Sequence, residues 1–356
     1  MFSQAREFFQ GLQSEICEKL EHFENGLVKF GKDEWGKEDG FGRGISRVLK
    51  GGKIFEQAGV NWSQMTGAQL PPSVLAKYPD LQGGKFFVTG ISLIVHPRNP
   101  YCPTVHANYR FFQVMSPVDE EKVVKWWFGG GMDLTPYYLF EADACFLHGS
   151  LKMTCDKFHK DYFEVFSSWA NKYFYIKHRR EHRGIGGLFF DYLSSDLDKE
   201  PLYRASMGSF EYSEELKELS DNLFSRNVGS ASPGSFDSVF QFVKECGELF
   251  LPIYCQIIER REKFTYTEEN REWQLYRRGR YVEFNLVYDR GTVFGLQTGG
   301  RVESILMSLP PLVRFEYDYC PRKGSGDDQL LQVLREPVEW YRHCCHHVAL
   351  DHYISD

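Results

Sequence analysis

The sequence has no stretch approaching ~20 uncharged apolar residues, so no membrane span is expected. It has neither a phosphate-loop lysine motif nor a dinucleotide fingerprint, which makes nucleotides poor ligands. It has no paired cysteine spacing: its 9 cysteines, an odd number, are scattered along the chain and read as reduced thiols of an intracellular protein. The opening MFSQAREFFQGLQSEICEKLEHFENG lacks a basic start followed by an apolar block and carries several Glu. No presequence is expected there, and the cytoplasm is the expected compartment. Positive balance is missing too: Lys plus Arg total 42 against 49 Asp plus Glu, a net charge of -7. Nucleic acid and anionic membrane surfaces are therefore disfavoured as partners, and an anionic ligand needs a local cluster of arginines.

Aromatic residues are plentiful. Phe 30, Tyr 20 and Trp 7 make 16% of 356 residues beside 42% hydrophobic overall, which excludes disorder as the main state and supports a sizeable core. Phe8, Phe9, Leu12, Ile16, Leu20 and Phe23 recur at helical spacing, so residues 1–24 open the chain with an amphipathic helix. The Gly- and Arg-containing stretch FGRGISRVLKGG, up to Gly52, reads as a mobile loop leading into a strand around Ile54 to Val60. Strand character follows in KFFVTGISLIVH (85–96), VHANYRFFQVM (105–115), KWWFGGGMDLTPYYLF (125–140), GGLFFDYL (186–193), YVEFNLVYD (281–289), TVFGLQT (292–298) and VRFEYDY (313–319). Helical periodicity dominates from about Ala142 to Lys177 and from about Phe236 to Lys263. The small, polar SRNVGSASPGSFDS (225–238) reads as a surface loop before a helix. Strands in runs with short turns favour antiparallel pairing. The expected fold is α+β, a large mainly antiparallel sheet flanked by α-helices on both faces, in a single domain over 1–356 with a tail extension at 341–356.

Three places carry chemistry. In VHANYRFF, alternation puts His106, Asn108 and Arg110 on one strand face and Val105, Ala107, Tyr109 and Phe111 on the other. The preceding strand offers Ser92, Ile94 and His96 on one face, joined through the constrained link HPRNPYCPTVH, so two polar faces are expected side by side. In WWFGGGMDLTPYY, Gly129, Gly130 and Gly131 remove side chains next to Asp133, marking a β-bulge or the close approach of a ligand or backbone. An ionised Asp only accepts hydrogen bonds, which suits a flat organic ligand with N–H donors. In YVEFNLVYDRGTVFGLQTGGRVESILMSLPP, read as strand, turn, strand, turn, helix, Asp289 and Arg290 occupy one turn and Arg301 follows Gly299 and Gly300 at the other. Glycine-supported N–H groups with a guanidinium form an anion site that takes a carboxylate as readily as a phosphate.

These residues carry a resemblance. GGKIFEQAGVNWS, HPRNPYCPTVHANYRFF, WWFGGGMDLTPYY, HRGIGGLFFDYL and YVEFNLVYDRGTVFGLQTGGRVESILMSLPP, in that order from about Gly51 to Tyr319, resemble the oxygen-dependent coproporphyrinogen III oxidases of the haem pathway. The resemblance implies oxidative decarboxylation of two propionate side chains of coproporphyrinogen III to vinyl groups, giving protoporphyrinogen IX, carbon dioxide and hydrogen peroxide. Oxygen is then the co-substrate, and no flavin, haem or nicotinamide is required because the electron-rich ring is its own electron sink. By motif, His106 resembles a proton donor, and Ser92, Asn108, Tyr109 and Arg110 resemble substrate contacts. Gly299, Gly300 and Arg301 match a second substrate-binding turn, with Arg290 beside Asp289. Asp289 looks like the carboxylate that engages the pyrrole nitrogens, and Asp133 is a second candidate. Metal ligands assigned in bacterial relatives would correspond to His96, His106, His148 and His178, although a decarboxylation driven by the ring needs no divalent ion. A homodimer is implied, with the segment from about Tyr281 to Phe315 contributing to its interface.

Two rival readings come from other residues. His178, Glu181 and His182 fit an H-x-x-E-H zinc-hydrolase pattern, with two arginines between them and glycines immediately after. The HCCHH run from His343 to His347 would suit a metal- or tetrapyrrole-handling carrier, but adjacent Cys and adjacent His cannot all point at one ion, and an exposed tail is the expected state.

Overall fold

The computed structural model describes residues 1–36, 42–194, 235–297 and 299–347. Helix α1 (Phe2–Phe23) buries Ala5, Phe9, Leu12, Ile16 and Leu20, the apolar stripe that its 3.6-residue periodicity prescribes. The chain then runs as a meander through β1 (Gly31–Gly36), β2 (Gly42–Lys50) and β3 (Phe55–Gly67). A short helix α2 (Pro72–Lys77) precedes β4 (Phe86–Pro97), β5 (Thr104–Met115) and β6 (Val123–Thr135). Helices α3 (Glu141–Asp156) and α4 (Tyr162–Tyr173) and a minimal hairpin of β7 (Tyr175–Ile176) and β8 (Glu181–His182) come next. Strand β9 (Gly187–Leu193) then pairs with β6 and completes a 7-stranded sheet of order β1-β2-β3-β4-β5-β6-β9, antiparallel at every step. The expected α+β class with a large antiparallel sheet is the observed one.

One sheet face is the main core. Val105, Ala107, Tyr109 and Phe111 of β5 point into it, beneath α1, α5 (Phe236–Glu248) and α6 (Phe250–Arg261), while α4 packs on β9. Aromatic rings fill this layer, with Phe128 tilted against Phe111 at 4.8 Å and stacked on Phe240 at 5.6 Å between ring centres. Ser235 caps α5 by accepting from the Ser238 N–H, so the end of the small polar stretch does precede a helix; its residues 225–234 lie outside the described residues.

Four sequence expectations need correction. Residues 42–50 are not a loop but β2, held between β1 and β3; of that stretch only Phe41 and the residue before it lie outside the described residues. Residues 281–287 of YVEFNLVYD end helix α7 (Glu268–Val287), residues 292–297 of TVFGLQT fall in α8 (Arg290–Gln297) with Thr298 outside the described residues, and VRFEYDY has no regular structure. Helix α7 starts at a capping box between Thr267 and Asn270, and its buried side includes Arg277, Arg278 and Arg280. These guanidiniums are paired: Arg277 with Glu181 at 2.5 Å, Arg278 with Glu56 at 2.6 Å, and Arg280 with Glu283 at 2.8 Å. A helix that buries arginines shows no apolar stripe, and its β-branched and aromatic end imitates a strand.

After α9 (Val302–Leu306) and α10 (Gly326–Arg335) comes α11 (Trp340–His347), which packs on α3 with Trp340 buried and Tyr341 against Phe163. The start of the tail is therefore a docked helix and not an exposed extension; residues 348–356 lie outside the described residues. Cys17, Cys102, Cys155, Cys246, Cys255 and Cys320 are free thiols, whereas Cys145 of α3 is disulfide-bonded, a departure from the all-thiol expectation. No helix among the described residues is long and apolar enough to cross a membrane.

Candidate active site

The sheet's second face organises the chemistry, because residues paired across strands form rows. One row runs Asp33, Ser46, Asn61, Ser92, Asn108, Gly131, Phe189, a continuous line over all 7 strands made mostly of small and amide side chains. On one side of it lies the row Val48, Gly59, Ile94, His106, Asp133, Gly187. On the other lies Trp35, Gly44, Ser63, Gly90, Arg110, Gly129. Beyond Arg110 comes an aromatic row in which Phe86 stacks on Phe112 at 5.2 Å, Phe112 on Trp127 at 4.3 Å, and Trp127 on Tyr192 at 5.1 Å.

The expected side-by-side polar faces are thus real. Ser92 and Asn108 are directly paired, and His106 and Arg110 flank them on the same strand face. Tyr109 lies on the opposite face, 1% exposed, with its hydroxyl donating to the Cys246 carbonyl, because neighbouring residues of a strand must point apart. The glycine run serves side chains and backbone of the protein itself. A Cβ at Gly129 would lie 2.5 Å from Asp191 Oδ1 and 2.9 Å from the Arg110 guanidinium carbon, so Gly129 is the clearance through which that pair meets. At Gly131 a Cβ would strike the Leu188 carbonyl, and the β6–β9 register shifts between Phe128 and Gly130, so the expected bulge is present.

His106 and Asp133 are cross-strand partners, with Nδ1 2.8 Å from Asp133 Oδ1. The same carboxylate receives Arg183 through Nη2 at 2.8 and 2.9 Å and Nε at 3.2 Å. Burial by itself would raise the Asp133 pKa, but the Arg183 charge and the His106 hydrogen bond outweigh it and hold the carboxyl below the usual range. Arg110 donates to Asp191 at 2.5 Å, and this partner more than offsets the effect of burial on the guanidinium, raising its pKa. Asp289 caps α8: Oδ2 accepts the Thr292 N–H at 2.7 Å and Oδ1 accepts the Tyr173 hydroxyl at 2.8 Å. Arg290 lies 5.2 Å over the Tyr173 ring and 5.8 Å over Phe189, at the β9 end of the polar row. Gly299, at φ +67°, and Gly300, whose N–H donates to the Gly295 carbonyl at 2.7 Å, turn the chain from α8 to α9. Arg301 then pairs with Asp33 at the β1 end and donates to Ser304 at 3.1 Å, while Ser304 meets Ser46 at 2.7 Å. From Asp33 to Asn108 is four strand spacings, about 19 Å. His106, Arg110, Asp289, Arg290 and Arg301 therefore border one sheet face.

The four histidines of the metal expectation do not converge. His96 is fully buried, its Nε2 on the Ser308 carbonyl at 2.9 Å and its Nδ1 on Thr104 at 3.1 Å, and burial with the nearby Arg278 charge pushes its pKa down to about 3. His148 holds the Ile185 carbonyl at 2.9 Å and is pushed by burial to about 4. His178 sits between Tyr288 at 2.8 Å and Glu283 at 2.7 Å. Among the described residues no group of three or more His, Cys, Asp or Glu is arranged to hold a metal ion, so this donor set does not fit one. The hydrolase pattern disperses as well. Glu181 is buried against Arg277, and His182 bonds the Leu334 carbonyl at 2.9 Å. These residues sit in the β7–β8 hairpin, not on a helix.

The sequence reading missed Asn61, Arg183 and Asp191. Alternation in GLFFDYL puts Gly187, Phe189 and Asp191 on one face, a signal present in the sequence. Arg183 had none, since a buried arginine is indistinguishable from a surface one until its partner is known.

The model of the family described as Coproporphyrinogen III oxidase matches residues 4–340. The chain belongs to the coproporphyrinogen III oxidase family. Among curated members, it is 47% identical over 329 residues to "Oxygen-dependent coproporphyrinogen-III oxidase" of Prochlorococcus marinus (strain MIT 9312), covering 92% of this chain and 90% of that protein. To the protein of the same name from Prochlorococcus marinus (strain NATL1A) it is 45% identical, covering 98% and 95%. To that of Synechococcus sp. (strain CC9605) it is 46% identical, covering 94% and 86%. Within this coproporphyrinogen oxidase the site rows and the turn at Gly299 and Gly300 all fall inside the matched residues.

Proposed function

We propose that this chain catalyses the oxygen-dependent decarboxylation of two propionate arms of coproporphyrinogen III to vinyl groups, yielding protoporphyrinogen IX, carbon dioxide and hydrogen peroxide. The observation that carries this reading is a sheet face lined by amides, serine and glycine, bordered by Arg110, Arg290 and Arg301, with an imidazole in the adjoining row. A puckered tetrapyrrole with four carboxylate arms needs that combination: guanidiniums for its arms, small side chains under the ring and aromatic walls.

Each propionate loses carbon dioxide and one β-hydrogen, and two electrons pass through the pyrrole to dioxygen. Dioxygen takes up two protons to become hydrogen peroxide; one balances the β-hydrogen that leaves carbon, and the other comes from the medium. Asp133 has both oxygens engaged by Arg183 and His106, so it acts on His106 and not on the ring. Asp289 stands at a helix start and, among the described residues, has one hydrogen-bond donor on each oxygen, leaving acceptor capacity for a pyrrole N–H. Asp191 orients Arg110 toward a propionate. His106, with 24% of its side chain exposed, exchanges protons through Nε2.

The same reading includes a homodimer. Leu286, Val287, Val302, Leu312, Phe315 and Tyr317 leave large apolar surface exposed, Tyr317 at 99%, and a second copy of the chain would cover it. The free thiols suit the cytoplasm, and the disulfide at Cys145 stands against it. The deciding experiment mixes purified protein with coproporphyrinogen III in air and under argon, then reads protoporphyrin fluorescence after chemical oxidation. Product in air with two dioxygens consumed per molecule is expected; its absence in air would reject the assignment.

A further inference from the structure

Arg183 is buried, and it reaches the open sheet face only through the carboxylate of Asp133. Its side chain is 1% exposed and packed among three rings, with the guanidinium carbon 4.2 Å from the centre of Phe174, 4.8 Å from Tyr281 and 4.7 Å from Phe284. Two of those rings belong to α7 and the third follows α4, so the guanidinium plane is clamped by elements outside the sheet. Its planar fork engages both oxygens of Asp133. That leaves the carboxylate one orientation, with Oδ1 at His106 Nδ1.

We propose that Arg183 is a positioning residue for His106: by locking the Asp133 carboxylate it obliges Nδ1 to carry the proton and leaves Nε2 as the exchanging nitrogen. The chemistry is direct. An ionised carboxylate has no hydrogen to give, so the ring nitrogen facing it must be the donor, and the other nitrogen of the neutral ring is then the acceptor. A carboxylate free to rotate would hold the ring less firmly and admit the opposite tautomer, with Nε2 protonated and unable to take a proton. This inference rests on the proposed role of His106 in proton transfer, and its test separates the two.

The test uses full-length protein with ¹⁵N-labelled histidine, with His106 assigned by its loss in His106→Gln and its tautomer read from two-bond ring couplings. In the unsubstituted protein, neutral His106 is expected as the Nδ1–H form alone. An Nε2–H form there overturns the proposal without any variant. Arg183→Lys keeps the charge but replaces the fork by a single ammonium. A mixture of tautomers is expected, with kcat lowered about 10-fold or more and KM for coproporphyrinogen III within 2-fold. A single unchanged tautomer in Arg183→Lys that still binds substrate would overturn the positioning role even if His106→Gln abolishes turnover. A shifted tautomer with unchanged kcat would uphold the positioning role and reject His106 as the proton-transfer group. Should Arg183→Lys fail to fold, Phe284→Leu loosens one wall of the clamp, and the same two readouts are compared.

Discussion

Adding one methyl group at Gly129 tests whether the Arg110–Asp191 pair belongs to the working site. A Cβ there would fall 2.5 Å from Asp191 Oδ1 and 2.9 Å from both the guanidinium carbon and Nε of Arg110. Real Cβ contacts are not that short, and the atoms it meets are the ends of side chains, which swing away more cheaply than backbone. Gly129→Ala therefore separates a charge-assisted pair now at 2.5 Å without displacing a strand. Such a contact is worth about 1.5–3 kcal/mol, which at 1.36 kcal/mol per decade converts to a loss of about 10- to 160-fold in kcat/KM. Gly131→Ala is the matched control, since its Cβ would strike the Leu188 carbonyl and force β6 and β9 apart. It should lose thermal stability, whereas Gly129→Ala should melt within a few degrees of the parent. Porphyrin fluorescence gives the kinetics and scanning fluorimetry the melting points. Unchanged kcat/KM in Gly129→Ala would exclude the pair from substrate handling. Two equally destabilised variants would refute the distinction between a side-chain and a backbone clash.

Asp289→Asn keeps an oxygen for the Thr292 N–H and so preserves the cap on α8. Turnover should fall much more than substrate affinity, measured by steady-state kinetics, and near-normal kcat would remove Asp289 from the mechanism. Glu283 is partly buried, which by itself would raise its pKa, but hydrogen bonds from Arg179 and His178 and the Arg280 charge bring it down to about 2. A carboxylate depressed on folding contributes stability in full above its unfolded value of 4.5 and loses it as pH falls toward 2. The melting-temperature gap between parent and Glu283→Gln should accordingly be constant above pH 5 and shrink between pH 4.5 and 2. A gap independent of pH over that window would rule out the linkage. Phe315→Arg, placed in the exposed apolar surface, should yield monomers by light scattering after gel filtration if a second copy covers that surface. An unchanged dimer would move the interface elsewhere.

How much of this was legible depended on whether a segment's partners lay on its own period. Side chains alternate along the middle of β4 and β5, and with the short Pro-rich link between those strands this alternation gave the face shared by Ser92, His106, Asn108 and Arg110. Segment 281–297 was misread because a helix need not be apolar where its cations are paired: Arg277 and Arg278 take core positions only because Glu181 and Glu56 come from β8 and β3. Residues 42–50 looked like a loop because glycines weaken strand propensity, yet Gly44 is required where the Trp35 ring crosses the strand.

The local pattern by itself determined the open strand face, the amphipathic first helix and the glycine turn before Arg301, since each depends on interactions between near neighbours. Tertiary structure alone decided that Arg301 and Arg290 stand at opposite ends of one polar row, that Arg183 lies behind Asp133, and that His96, His148 and His178 point to separate partners. Those relations join residues tens to hundreds of positions apart, and a charge carries no trace in its own sequence neighbourhood of the distant group that neutralises it.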